Sequence, residues 1–325
     1  MLATSACQGM VCSGFKSDIV FIALFEGFLM SAAIFTLSYS GGASDDHVID
    51  FYDVAQALIG FQRSLALTTH LVLNDKVITQ APALKGARIL ALPPEDGSWK
   101  ITAAVIVGLY TVGTAPKDSP IGNLIASAYD YVVSETLGFH VDFDKTLGQQ
   151  YDELKKMRET ELKRLPQARF DSVIEKCELA IRDMHRPIAH SETAISASIF
   201  SQVGSWTSKV QQELDINTYE YLSFTREEDR PETFVGRVSS YNINTYKGRI
   251  YLRAEGRPVP FELGNVARDL RSISLITNSL VSNARDRMSG EGEVALKAYK
   301  RVSKSGKMKG LLVVDVNKAT GDPEY

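Results

Sequence analysis

Phe234-Val-Gly-Arg-Val-Ser-Ser-Tyr-Asn242, Lys247-Gly-Arg-Ile-Tyr-Leu-Arg-Ala-Glu255 and Arg257-Pro-Val-Pro-Phe-Glu-Leu263 decide how this chain folds. Each run is rich in β-branched and aromatic residues and is bounded by Gly, Asn or Pro, which reads as a strand. A longer segment, Val266 to Met288, carries Leu270, Ile273, Leu280 and Val281 at helical spacing. Val294 to Val302 and Gly310 to Val316 read as two more strands, joined by a turn over 303–308. Side chains alternate across a strand. Ile250, Leu252 and Ala254 are therefore expected inward, with Lys247, Arg249, Tyr251 and Arg253 outward. In the fourth strand Val294, Leu296 and Ala298 go inward and leave Lys297, Tyr299 and Arg301 outside.

Three strands, a helix and two strands is the element order of the OB-fold, a five-stranded Greek-key barrel that often binds oligonucleotides or oligosaccharides. Within that order, Gly236 to Ile250 resembles the opening of a cold-shock domain. Gly236, Val238, Tyr241, Asn242, Gly248 and Ile250 follow its pattern without gaps, and Val259-Pro-Phe-Glu262 falls where the second ribonucleoprotein motif stands. The resemblance implies a small barrel. Ser240, Lys247, Arg249, Pro260 and Glu262 occupy positions where that family places Trp, Phe or His, so its stacking ligand is not implied with it. The chain as a whole also resembles two-domain bacterial proteins of uncharacterised function, which implies no activity.

The strand pattern supplies a face of its own. Tyr241, Lys247, Arg249, Tyr251, Arg253, Lys297, Tyr299 and Arg301 interleave cations with rings, the composition that single-stranded nucleic acid needs for its phosphates and bases. Residues 232–318 hold 16 Lys and Arg against 8 Asp and Glu, whereas the whole chain is at −3. Such an asymmetry is a footprint of polyanion binding. The same charges also suit a surface docked on the acidic front half, a homo-oligomer, or a solvated barrel wall whose Lys and Arg discourage edge pairing.

With 325 residues, 44% of them hydrophobic, the chain is long enough for two cores and ordinarily globular in composition. Cys7, Cys12 and Cys177 form no disulfide framework and no paired-Cys zinc spacing, so a reducing cytoplasm is the expected setting. Ile19 to Leu37 is an apolar run broken by Glu26, long enough to raise a membrane span or a secretion signal. However, Met30 is followed at once by the alternating strand Ser31 to Tyr39, and Glu26-Gly27 can be encoded by a purine run resembling a ribosome-binding site. Residues 1–29 are therefore expected to be a leader or a mis-called start.

In the front half, Asp45 to Asp50 can cap a helix that buries Val54, Leu58, Phe61, Leu65 and Val72. Arg88 to Leu92 and Trp99 to Ile106 flank Pro93-Pro-Glu-Asp-Gly97, a hairpin signal. From Ile121 to Leu214 the pattern reads as helical, with helices over Asn123–Leu137, Thr146–Leu165 and Ser172–Met184; Tyr219 to Phe224 reads as a strand, and 226–232 as a solvated linker. No Gly-rich phosphate loop follows a strand.

Two motifs invite enzymatic readings. Val141-Asp-Phe-Asp-Lys-Thr-Leu147 resembles the nucleophile motif of haloacid-dehalogenase-type phosphatases, which implies Asp142 as nucleophile and Asp144 as acid/base. Its flanks read as helix rather than buried parallel strand, so the match is taken as coincidental. At Met184-His-Arg-Pro-Ile-Ala-His-Ser-Glu-Thr193 a helix stops before Pro187 and gathers His185, Arg186, His190, Ser191 and Glu192. That cluster reads as a cap on two helix ends, with Arg186 on the carbonyls of one and Ser191 capping the next. It also reads as an anion or ligand site, or as a hydrolase centre with His185 as base. His47, His70 and His140 are isolated.

The sequence thus predicts an α+β protein: a leader (1–29), a strand, helix and hairpin layer with a helical extension (30–225), and an OB-like five-stranded barrel (232–318). The expected function is non-enzymatic binding of single-stranded nucleic acid on the barrel. The alternatives are a protein-interaction or homo-oligomeric role, then hydrolysis at His185 to Glu192. No cofactor, metal or membrane role is expected.

Overall fold

The computed structural model describes residues 31–92, 99–107, 120–152, 165–285 and 292–319. The expected leader, the Pro93–Gly97 turn and most of Thr146–Leu165 lie outside the described residues.

The front half is an antiparallel sheet built on β1 (Ser31–Ser40). Its neighbours are β2 (Ala87–Ala91), β3 (Lys100–Val107), β4 (Ser196–Val203) and β5 (Trp206–Lys209), in the order β2-β3-β1-β4-β5. Ala33, Phe35, Leu37 and Tyr39 of β1 are all buried, as a two-residue repeat on a covered face requires. Helices α1 (Phe51–Asn74), α2 (Pro120–Thr136) and α3 (Gln167–Asp183) form the other side of this core. Phe35 meets the edge of Tyr129 at 5.1 Å, and the Tyr129 hydroxyl shares a 2.8 Å hydrogen bond with Ser64 on α1. Burying each such ring contributes about 1.5–3 kcal/mol. The α1 cap is Asp50, whose carboxylate accepts from the Asp53 N–H; Asp45 instead accepts from Gly41 in a preceding 3-10 turn. A short α4 (Arg186–Ala189) follows α3, with Pro187 at its start.

Two expectations fail here. The hairpin of β4 and β5 lies inside the stretch read as helical; half its positions are Ser, Thr or Gln, which masks the alternation. Tyr219 to Phe224 is not a strand but the C-terminal part of α5 (Ile216–Ser223). A capping box decides it: Asp215 accepts from the Thr218 N–H while the Thr218 hydroxyl accepts from the Asp215 N–H, both at 2.8 Å.

The barrel matches its expected order. β7 (Glu232–Asn242) pairs with β8 (Lys247–Leu252), β8 with β9 (Arg257–Leu263), and β9 runs parallel to β11 (Met308–Lys318). β11 pairs with β10 (Val294–Val302), and β10 returns to β7, closing an OB-like ring. Val238, Ile250, Leu252, Phe261, Leu296 and Val313 fill it. Ala254 is not inward: it sits exposed in the turn after β8. The expected helix is a 3-10 turn at Asn265–Ala267 followed by α6 (Leu270–Arg285); Ile273 and Leu280 pack on the barrel as expected, but the face is rotated from the expected stripe. Ser272, Ile276 and Ser279 are covered, whereas Leu270 and Val281 are exposed, because the Ser279 hydroxyl accepts from the Val238 N–H at 3.0 Å and anchors that side to the barrel. The linker is not wholly solvated: β6 (Arg226–Glu227) pairs with the end of β10.

Each half has its own apolar cluster. One draws only on residues from Ala33 to Leu222, the other only on residues from Phe234 to Val316. No helix of the described residues is long and apolar enough to cross a membrane.

Candidate functional site

The eight barrel residues are distributed over several surroundings. A β-bulge in β7 sets Ser240 directly opposite Arg249 on β8. Both side chains then point at the front half. Arg249, only 5% exposed, donates from Nε to Asp171 Oδ1 and from Nη1 to Glu135 Oε2, each at 2.6 Å. Ser240 donates to the other Asp171 oxygen at 3.0 Å. Lys247, two residues before Arg249, reaches Glu175 on α3 at 2.6 Å. Asp171 and Glu175 stand one helical turn apart on α3, so the two β8 cations meet two carboxylates in register.

Burial alone would weaken the charge on Arg249, but Asp171 and Glu135 beside it hold the guanidinium protonated well above its usual range. The two carboxylates respond in opposite directions. Burial works against ionised Glu135, yet His140, Arg249 and the Val141 N–H together hold it below the usual carboxylate range. Asp171 has fewer donors, and burial together with the neighbouring Glu135 charge lifts it despite Arg249 and Ser240.

Tyr241 stacks on Phe261 at 6.2 Å with its hydroxyl buried and unpartnered among the described residues. Arg301 pairs with Glu227 and Glu262, at 3.0 and 2.9 Å. Tyr299 is half-buried. Tyr251 and Lys297 remain on open wall, and Arg253, in the turn after β8, is ion-paired with Glu293 at 2.6 Å. The structure thus groups Lys247 with Arg249 beneath the front half and leaves the exposed members elsewhere on the barrel.

A second set of contacts, unread in the sequence, joins the barrel to α5. Lys309 Nζ donates to the Tyr221 carbonyl at 2.7 Å, to the Phe224 carbonyl at 3.3 Å and to the Thr225 hydroxyl at 2.8 Å. A cation on the last carbonyls of a helix also complements its dipole. Burial lowers the Lys309 pKa. Lys307 lies 4.2 Å over the Phe139 ring and 5.3 Å from Tyr221, and Lys304 pairs with Glu220. Between the halves these contacts leave an open cleft of about 630 Å³ that both sets help to line.

The second predicted cluster surrounds Asp53. Arg186 Nε donates to Asp53 Oδ1 at 2.9 Å, rather than to helix carbonyls, and the Ser191 N–H donates to Oδ2 at 3.0 Å. His185 is fully buried between the Ile181 carbonyl at 2.8 Å and the Thr218 hydroxyl at 3.0 Å, and burial lowers its pKa to about 4. Both of its nitrogens are engaged. His190 bonds the Tyr219 hydroxyl at 3.3 Å, and Glu192 sits at φ 52° in the adjoining turn. As for Asp142 and Asp144, they follow α2, and Asp144–Gly148 is a π turn rather than the end of a strand.

These observations define a two-part α+β protein: an antiparallel sheet with helices, and a closed barrel held on it by ion pairs. Residues 35–218 match the family described as Domain of unknown function (DUF7946), more than half of the chain, and the chain belongs to that family. Residues 230–317 match the Family of unknown function (DUF7947). No curated protein and no solved structure matches the chain.

Proposed function

We propose that the chain is a non-enzymatic binding protein whose barrel docks acidic protein surfaces, beginning with its own front half. One observation carries this reading: Arg249, the most enclosed cation of the expected ligand face, is already spent on Glu135 and Asp171. The surplus of positive charge in the barrel and the acidity of the front half then describe one complementary pair of surfaces. A reducing cytoplasmic setting fits the buried free thiol of Cys177.

Light scattering on the purified chain, with absorbance read at 260 and 280 nm before and after nuclease, tests the reading. It expects a nucleic-acid-free species whose mass nuclease does not change. A polynucleotide that copurifies and is stripped by salt counts against it.

That outcome would favour a second reading, in which the OB-like, cold-shock-resembling barrel holds single-stranded nucleic acid. Exposed Tyr251, Arg253 and Lys297 support it, since they offer a ring and two cations to solvent. Anisotropy of a labelled single-stranded oligonucleotide should then fall steeply with salt, and Arg253→Glu with Lys297→Glu should abolish it. Salt-independent retention rejects this second reading.

A further inference from the structure

We infer that the seam between barrel and front half is a latch, and that the wall of β7 and β8, once opened, takes an acidic helix of a partner protein in place of α3. The inference rests on the reading of the barrel as a protein-docking module.

The two apolar clusters share no residue, and ion pairs, hydrogen bonds and cations over rings cross the seam between them. Polar seams between parts of one chain allow relative motion. The contacts fall into two sets with different freedom. Lys309 holds the end of α5, where the chain itself runs on into the barrel, so the halves cannot part far there. Arg249, Lys247 and Ser240 instead meet α2 and α3, which are remote in sequence and free to separate. The first set makes a pivot and the second a latch, and the cleft is lined by residues of both sets.

The partner's chemistry follows from what the latch now holds. Asp171 and Glu175 lie four residues apart on α3 and meet Arg249 and Lys247. Any helix with carboxylates at i and i+4 repeats that spacing. Such a helix competes with α3 for the same two cations.

The test uses the full-length chain and its variant Glu135→Gln/Asp171→Asn/Glu175→Gln. Small-angle scattering is expected to give the variant a larger radius of gyration. A synthetic helical peptide with Asp and Glu at i and i+4 should bind it about tenfold more tightly than wild type, and adding Arg249→Glu should remove the gain. Identical scattering of the two chains, with circular dichroism unchanged, overturns the latch. Should the variant not fold, the milder Asp171→Asn/Glu175→Gln, which leaves Glu135 beside Arg249, is compared with wild type; an unchanged radius again overturns it. Scattering reports opening whether or not the barrel docks partners. An opened variant that gains no affinity for the peptide overturns the acidic-helix partner, whereas the docking reading falls only to a copurifying polynucleotide; an equal gain for a neutral peptide or a gain only for a single-stranded oligonucleotide overturns the partner class.

Discussion

Gly138 and the ring of Tyr221 are in such close approach that a Cβ placed on Gly138 would stand 2.2 Å from Tyr221 Cζ. Gly138 ends α2 at φ 79°, a conformation that disfavours any side chain. Tyr221 cannot easily yield, because its ring also lies 4.9 Å from Lys309 Nζ and its hydroxyl is enclosed enough that burial pushes its pKa up to about 12. Gly138→Ala should therefore cost about 2–4 kcal/mol from strain and overlap combined. Urea unfolding checks it, and an unshifted midpoint would mean that the ring swings aside.

Removing Arg249 should cost more than removing any exposed cation of the barrel. Arg249→Ala leaves Glu135 and Asp171 facing each other without a counter-charge, a loss of about 3–5 kcal/mol for a buried pair. Arg249→Lys should recover little, since an ammonium cannot reproduce the guanidinium fork that reaches two carboxylates from Nε and Nη1. Denaturant unfolding of the two variants, and of Arg249→Ala combined with Glu135→Gln and Asp171→Asn, measures this. The combined variant should regain part of the loss.

His185 makes stability depend on pH in a stated direction. Its folded-state pKa of about 4 lies below the ordinary 6.5 because burial disfavours the charged ring. Above pH 6.5 both folded and unfolded chains carry it neutral and its contribution is complete. As the pH falls from 6.5 towards 4, only the unfolded chain takes up the proton, so stability is lost by an amount on the order of a few kcal/mol. His185→Gln should flatten that part of the profile, read as the urea midpoint at pH 7 and pH 5. An equal drop in both proteins would place the acid sensitivity elsewhere.

Cys177 is buried in the front core, and burial pushes its thiol up to about 12. The thiolate is the reactive form. Peptide mapping after brief alkylation at pH 8 should therefore find Cys177 unmodified in the native chain and modified after unfolding in guanidinium. Native labelling at the rate of a free thiol would contradict its placement.

What the sequence revealed and what it hid follow from the kind of signal each feature leaves. Four of the five barrel strands begin or end at their expected positions, since Gly, Pro and Asn at their borders act locally. In the Ser-rich β4 only Ala197, Ile199 and Val203 mark the inward face, too few apolar residues to stand out, whereas Tyr219 to Phe224 has the aromatic content of a strand while its residues up to Ser223 fold as a helix. Asp215 and Thr218, three residues apart, were the available sign of the helix start. Outward cations on β8 were legible as outward, because alternation fixes direction. Nothing in the pattern could tell that α3 would cover Arg249 and pair with Lys247, for an outward charge carries no mark of what it meets.

Since neither apolar cluster borrows a residue from the other, the two halves should unfold as separate cooperative units. Differential scanning calorimetry should resolve two heat-absorption peaks, with calorimetric enthalpy exceeding the van't Hoff value for the whole transition. The barrel closes by pairing β7 with β10, from Gly236 with Val294 to Glu232 with Ala298, and β9 with β11 in parallel. Such non-local closure is slow to form, so on refolding the two halves should recover their structure at different rates.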